Sequence, residues 1–251
     1  MLMGVQQLLR VLQSETKALL DIARHHQEAL LDRKVSVPVT ESASPVLLLH
    51  GYLVGAPSLL GQERYLRKKG FAASSLSYPF WQDLRKVRVS LEDEVEELCQ
   101  QSSQKVSLVG HSEGGLVSYS LAQHQPDCIN RVIALGTPFH GTLAAYLNFF
   151  VESARQMLPG SSYLREMAEQ GVPDVPVISI STKYDELVIP WHSALLPESQ
   201  HTYNIACNSV GHGGLITKEC YPLVGEWLQK KLTLQPDPDD WLFVTRNTKI
   251  S

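Results

Sequence analysis

Residues 105–124 read KVSLVGHSEGGLVSYSLAQH, and the order of residue types within them decides the fold. A β-rich run from Lys105 to Val109 meets Gly110-His111-Ser112-Glu113-Gly114, which fits G-x-S-x-G, and a helical run follows at once. The turn at such a junction is tight and strained, so a Cβ at Gly110 or Gly114 would collide with neighbouring backbone. Ser112 is thereby lifted clear of the sheet at a helix N-terminus, where free N–H groups and the macrodipole favour negative charge. G-x-S-x-G alone is common in proteins. Its strand-turn-helix frame is what makes this copy informative.

Short β-rich runs and helical segments alternate on either side of the junction. The runs are VSVPV (35–39), PVLLLHG (45–51), AASSLSY (72–78), RVIALGT (131–137), PVISIST (176–182) and HTYNIAC (201–207). Helical segments are expected at Leu91 to Gln101, Gly115 to His124 and Leu215 to Lys231. This alternation, with near-continuously apolar strands, predicts an α/β fold: a mostly parallel sheet with helices on both faces. One α/β domain is expected over residues 35–234. Within it, residues 142–171 break the rhythm with AAYLNFFVESARQML, a turn at Pro159-Gly160 and YLREMAEQ, which reads as a helical lid or cap insertion. Residues 235–251 form a C-terminal tail.

Residues 1–34 predict an amphipathic helix with Val5, Leu9, Leu12, Leu19, Ala23 and Leu30 as its apolar stripe. A stripe of this kind is expected to pack on the core or on a second subunit. Peripheral membrane contact is the alternative.

The chain has 251 residues, 43% apolar and 19% charged, with a net charge of -4. That is a globular composition without the basic field that recruits nucleic acid, so nucleic-acid binding is not expected. The four cysteines are scattered, without the paired spacing of a zinc site or the density of a disulfide scaffold, and are read as free thiols. The N-terminus has no basic segment followed by an unbroken apolar one, and no stretch is apolar enough to span a bilayer. A cytoplasmic location is expected, with membrane association left open.

A serine hydroxyl is a weak nucleophile near neutral pH and needs a base, which in turn needs an orienting acid. Asp185 follows PVISIST in the segment STKYDELVIP, and His212 follows HTYNIAC in SVGHGGLI. Both therefore sit at carboxyl ends of strands, where open α/β sheets place their ligands. Glu186, beside Asp185, stays open as a competing acid. His50 and His111 read as loop braces, and the glycines at 211, 213 and 214 as room for backbone and substrate. A tetrahedral intermediate also needs N–H donors for its oxyanion. Those expected are the backbone N–H of Glu113, after the nucleophile, and of Tyr52, in the exit from PVLLL. The Glu113 side chain is expected to turn away.

HGYLVG, GHSEGG, GTPFHGT, STKYDELVIP and SVGHGGL resemble, in order, the motifs of triacylglycerol lipases and related carboxylesterases of the α/β-hydrolase superfamily, over about residues 45–231. The resemblance implies an α/β-hydrolase fold with nucleophile Ser112, acid Asp185, base His212 and oxyanion donors Tyr52 and Glu113. The insertion would be the lid or acyl-binding cap, with Tyr146, Leu147, Phe149, Phe150 and Met157 as acyl-pocket candidates. Many secreted bacterial relatives hold calcium through an aspartate just after the histidine; here Gly213, Gly214 and Leu215 stand there, and no metal or cofactor is expected.

The function expected is therefore a serine ester hydrolase, a carboxylesterase or lipase, acting on a small-molecule or lipid ester through an acyl-enzyme. A thioesterase, a polyhydroxyalkanoate-oligomer hydrolase or an amidase with the same triad is the enzymatic alternative. An inactive hydrolase fold docking through its N-terminal helix, or dimerising through it, is the other.

Overall fold

The computed structural model describes residues 2–31 and 43–231. The expected strand VSVPV and the C-terminal tail lie outside those residues. The helix α1 (Leu2–Leu31) precedes a sheet made of β1 (Pro45–Leu49), β2 (Ala72–Leu76), β3 (Val106–His111), β4 (Ile129–Leu135), β5 (Val177–Thr182) and β6 (Thr202–Cys207). Every pairing is parallel and the order is β2-β1-β3-β4-β5-β6. The order reverses between β1 and β3, which opens a crevice at their carboxyl ends.

Helices cover both faces. The alternation of side chains along each strand splits the interior in two. Leu47, Leu49 and Leu108 point to a core shared with α3 (Leu84–Ser102), α4 (Glu113–His124) and α6 (Ser162–Gln170). Val46, Leu48 and Val109 point to one shared with α2 (Leu60–Lys68) and α7 (Tyr221–Gln229). Asp83 caps α3 by accepting from the Arg85 N–H at 2.8 Å, which explains a start earlier than the apolar pattern suggests. The polar sequence of α2 hides its role: Gln62 and Glu63 are buried, and Glu63 accepts from the Ser75 N–H at the sheet edge.

The insertion departs from a regular helix. It opens with a 3₁₀ turn (Leu143–Asn148), passes to the five-residue α5 (Glu152–Gln156) and ends in α6. In a 3₁₀ turn positions three apart eclipse, and Leu143, Tyr146 and Phe149 form one exposed row.

The N-terminal helix is present, but it docks by a different face from the one its leucines suggest. Leu9, Leu12, Leu19 and Ala23 of the expected stripe are exposed; the side chains of Val5 and Leu30 lie outside the described ones. Val11, Ser14, Ala18 and His25 are buried instead, with Glu15 and Ile22 half-buried between them. The surface beneath is glycine-rich loop backbone, which calls for small or hydrogen-bonding side chains. No helix among the described residues is long and apolar enough to cross a membrane.

Candidate active site

Ser112 sits between β3 and α4 with φ 53° and ψ -117°, a conformation that costs a non-glycine residue of order 1–3 kcal/mol. The glycines around it pack as the motif requires. A Cβ at Gly110 would lie 2.3 Å from the Gly114 carbonyl oxygen, and one at Gly114 would lie 2.3 Å from that of Leu49. The elbow is tied to the sheet by the Ser112 N–H, which donates to the Leu135 carbonyl at 2.8 Å.

Asp185 and His212 meet across the loops after β5 and β6. Nδ1 of His212 lies 2.9 Å from Oδ2 of Asp185, and both side chains are almost wholly buried. Oδ1 of Asp185 accepts from the N–H groups of Leu187 at 2.9 Å and Val188 at 2.6 Å, which fixes the carboxylate. Glu186 reaches the His212 N–H at 3.2 Å and not the ring. The ring is therefore oriented by Asp185, and the competing carboxyl holds backbone. Burial alone would lower the His212 pKa; the charge and hydrogen bond of Asp185, with Glu186 and Glu15 behind them, outweigh it and raise it.

His111 and His50 brace the site. His111 Nε2 lies 3.3 Å from the His212 carbonyl oxygen, and burial followed by the neighbouring His212 holds it well below the ordinary histidine range. His50 stacks on Tyr78 at 4.1 Å between centroids and bonds the Gly51 carbonyl through Nδ1.

Ser112 and His212 open onto one cavity of about 410 Å³. Gly51 and Tyr52 line it, and a Cβ at Gly51 would lie 3.1 Å from that of Ser112. The Glu113 N–H lies in the first turn of α4, where backbone donors lack intrahelical acceptors. Its side chain is buried beside Ser153, whose hydroxyl is committed to the Phe80 carbonyl, and burial pushes the Glu113 pKa up to about 8. A neutral carboxyl there leaves no negative charge beside Ser112.

Of the five acyl-pocket candidates, Leu147 and Met157 line the cavity. Tyr146, Phe149 and Phe150 do not; they are exposed.

The leucine pattern of α1 gives no hint of Ser14 and Glu15, yet both reach the loop that carries His212. Oε2 and Oε1 of Glu15 accept from the Gly213 and Gly214 N–H groups at 2.9 and 2.8 Å, and the Ser14 hydroxyl accepts from the Gly211 N–H at 3.2 Å. A Cβ at Gly211 or Gly213 would lie 2.5 or 2.8 Å from a Glu15 oxygen. These glycines admit the side chains of α1. The helical spacing of Val11, Ser14, Glu15, Ala18 and Ile22, a stripe of non-leucine residues holding a serine and an acid, was the available sequence signal.

The sequence profile of the PGAP1-like alpha/beta domain matches residues 89–212, from α3 to the candidate base. Among solved structures, the mature form of the Bacillus licheniformis lipase BlEst2 superposes with a TM-score of 0.62 at 17% identity, covering 78% of this chain and 94% of that one. Aspergillus fumigatus lipase B gives 0.67 at 19%, covering 78% and 55%, so the chain spans about half of that lipase. A Paleococcus ferrophilus monoacylglycerol lipase gives 0.54 at 16%, covering 74% and 95%. With its parallel sheet, its strand-turn-helix serine and this set of structural neighbours, the chain has an α/β-hydrolase fold of the kind seen in these lipases.

Proposed function

We propose that the protein is a serine hydrolase of carboxylic esters. The observation that carries the reading is the buried 2.9 Å contact of Asp185 with His212, set in a cavity that Ser112 also lines. Ser112 attacks the ester carbonyl while His212 takes its proton; Asp185 keeps the imidazole in the tautomer with Nδ1–H and stabilises the imidazolium. The N–H groups of Tyr52 and Glu113 receive the oxyanion, and a donor of this kind is worth roughly 2.7–4 kcal/mol in other acyl-transfer enzymes. Collapse, with His212 protonating the departing alcohol, leaves an acyl-enzyme that water hydrolyses. No cofactor enters. Leu147, Met157 and the apolar lining around them favour an acyl group without charge.

A lipid-borne ester is favoured over a freely diffusing one. Leu19 of α1, Leu53, Leu147 and Leu187 all line the cavity and are all exposed, so a surface that covered them would also cover its mouth. A second protein copy seated there would obstruct the substrate, which makes lipid the better partner for this face than a dimer.

One experiment tests both points. A long-chain fluorophosphonate should label the wild type and fail to label Ser112→Ala; labelling that survives the substitution, or is absent from the wild type, refutes the hydrolase. The same probe should react faster when presented in phosphatidylcholine vesicles than when dissolved as monomer. Equal rates would remove the lipid surface and leave the chemistry intact.

A further inference from the structure

The N–H groups of His212, Gly213 and Gly214, three in succession, all end on carboxyl groups: the first on Glu186, the next two on Glu15. Gly213 opens a 3₁₀ turn (Gly213–Ile216), and the leading N–H groups of such a turn have no partner within it. An N-cap side chain ordinarily supplies one. Here the N-cap is His212, whose ring is engaged by Asp185, so the acceptors must come from elsewhere in the chain. A carboxylate with one oxygen on each N–H is a strong, charge-assisted solution.

We propose that Glu15 is a positioning residue for His212, so that α1, outside the α/β core, is a working part of the active site. Glu15 holds the loop backbone from one side while Asp185 orients the ring from the other. The proposal rests on the reading of His212 as the catalytic base.

The surroundings fit this role. Gly211 and Gly213 lack the Cβ atoms that would displace the carboxylate, and Ser14 secures the Gly211 N–H one residue before the histidine. Four titratable groups face His212: Asp185 and Glu186 from the loop after β5, Glu15 from α1 and His111 from the end of β3. Glu15 and Glu186 also touch, and burial together with that contact pushes the Glu186 pKa up to about 7. A proton on Glu186 lets the two carboxyls share a hydrogen bond where two carboxylates would repel. The negative charge that the pair shares lies beside the imidazole and favours its protonated form.

The test is Glu15→Gln in the full chain, with Lys17→Ala as control; the latter removes only the exposed pair of Lys17 with Glu219 on the same helix. On a soluble short-chain ester, Glu15→Gln should lower kcat about tenfold to a hundredfold with KM nearly unchanged, the size of effect that a small misplacement of a catalytic group produces. The acid limb of its pH profile, and the His212 ring titration followed by NMR, should move to lower pH. Lys17→Ala should match the wild type. Loss of helix packing alone would not move the titration. Wild-type kcat and an unmoved titration in folded Glu15→Gln would overturn the proposal. If that variant does not fold, Ser14→Ala decides: it should lower kcat in the same way, and wild-type turnover would overturn the proposal. The NMR arm needs no substrate. A wild type that fails to label with the fluorophosphonate refutes the hydrolase, while a His212 titration that still shifts in Glu15→Gln supports the hold of Glu15 on the loop.

Discussion

Ser112 is held by backbone, through its own strained φ, two flanking glycines pressed against main chain and a bond to the neighbouring strand. His212 is held by residues 27 positions away, at Asp185, and 198 and 199 positions from the loop N–H groups, at Glu15. The first arrangement is marked by a local motif, made of main chain and rigid. The second exists only once β5, β6 and α1 have come together, and its parts are side chains that can shift. The elbow should therefore fail by unfolding and the histidine loop by losing activity while folded.

The largest effect belongs to the histidine side. Asp185→Asn keeps the shape of the acid but removes the charge and favours the wrong imidazole tautomer. It should lower kcat by about 10⁴, as the equivalent change does in serine proteases, with the melting temperature little altered. A loss below about tenfold would mean that Glu186 can serve as the acid.

A pair of glycine substitutions separates the two regions next. An added Cβ at Gly114 meets the Leu49 and His50 carbonyl oxygens at 2.3 and 2.5 Å, backbone that cannot yield. Gly114→Ala should cost at least about 3 kcal/mol of stability by chemical denaturation. At Gly213 the Cβ meets Glu15 Oε2 at 2.8 Å, the end of a flexible side chain. Gly213→Ala should cost about 1 kcal/mol while lowering turnover more than its stability loss explains. Equal stability losses would erase the distinction.

The same contrast governs what could be read before the structure. The six strands of the described sheet, and the meeting of Asp185 with His212 near Ser112, were legible because each is marked by a run, a motif or the chain order, all of which are local or sequential. Glu15 was not, because its partner is glycine backbone about two hundred positions away and no periodicity marks that. Hydrophobic spacing selected Leu9, Leu12 and Leu19 and thus the wrong face of α1, since the docked face is built from small and polar residues. Tyr146 was misplaced for a different reason: a period of three cannot be told from 3.6 over the six residues Leu143–Asn148.

Glu113 belongs to both regions, with its N–H at the elbow and its carboxyl in the core, and it yields the smallest effect. Burial raises its pKa from 4.5 to about 8, while the unfolded chain keeps the ordinary value. The native state thus binds more protons than the unfolded state between those limits. This contribution to stability is complete below pH 4.5, declines as pH rises, and is gone above about 8. Glu113→Gln cannot ionise and escapes the decline. Its stability relative to the wild type should improve with pH by at most about 1.4 kcal/mol per unit, amounting to roughly 3 kcal/mol by pH 7. Denaturant titrations at several pH values read this directly, and parallel curves would place the carboxyl in a solvated site. Because the neutral carboxyl already spares the oxyanion, turnover should stay within about tenfold of the wild type, and a larger rise would mean that Glu113 is charged and faces Ser112.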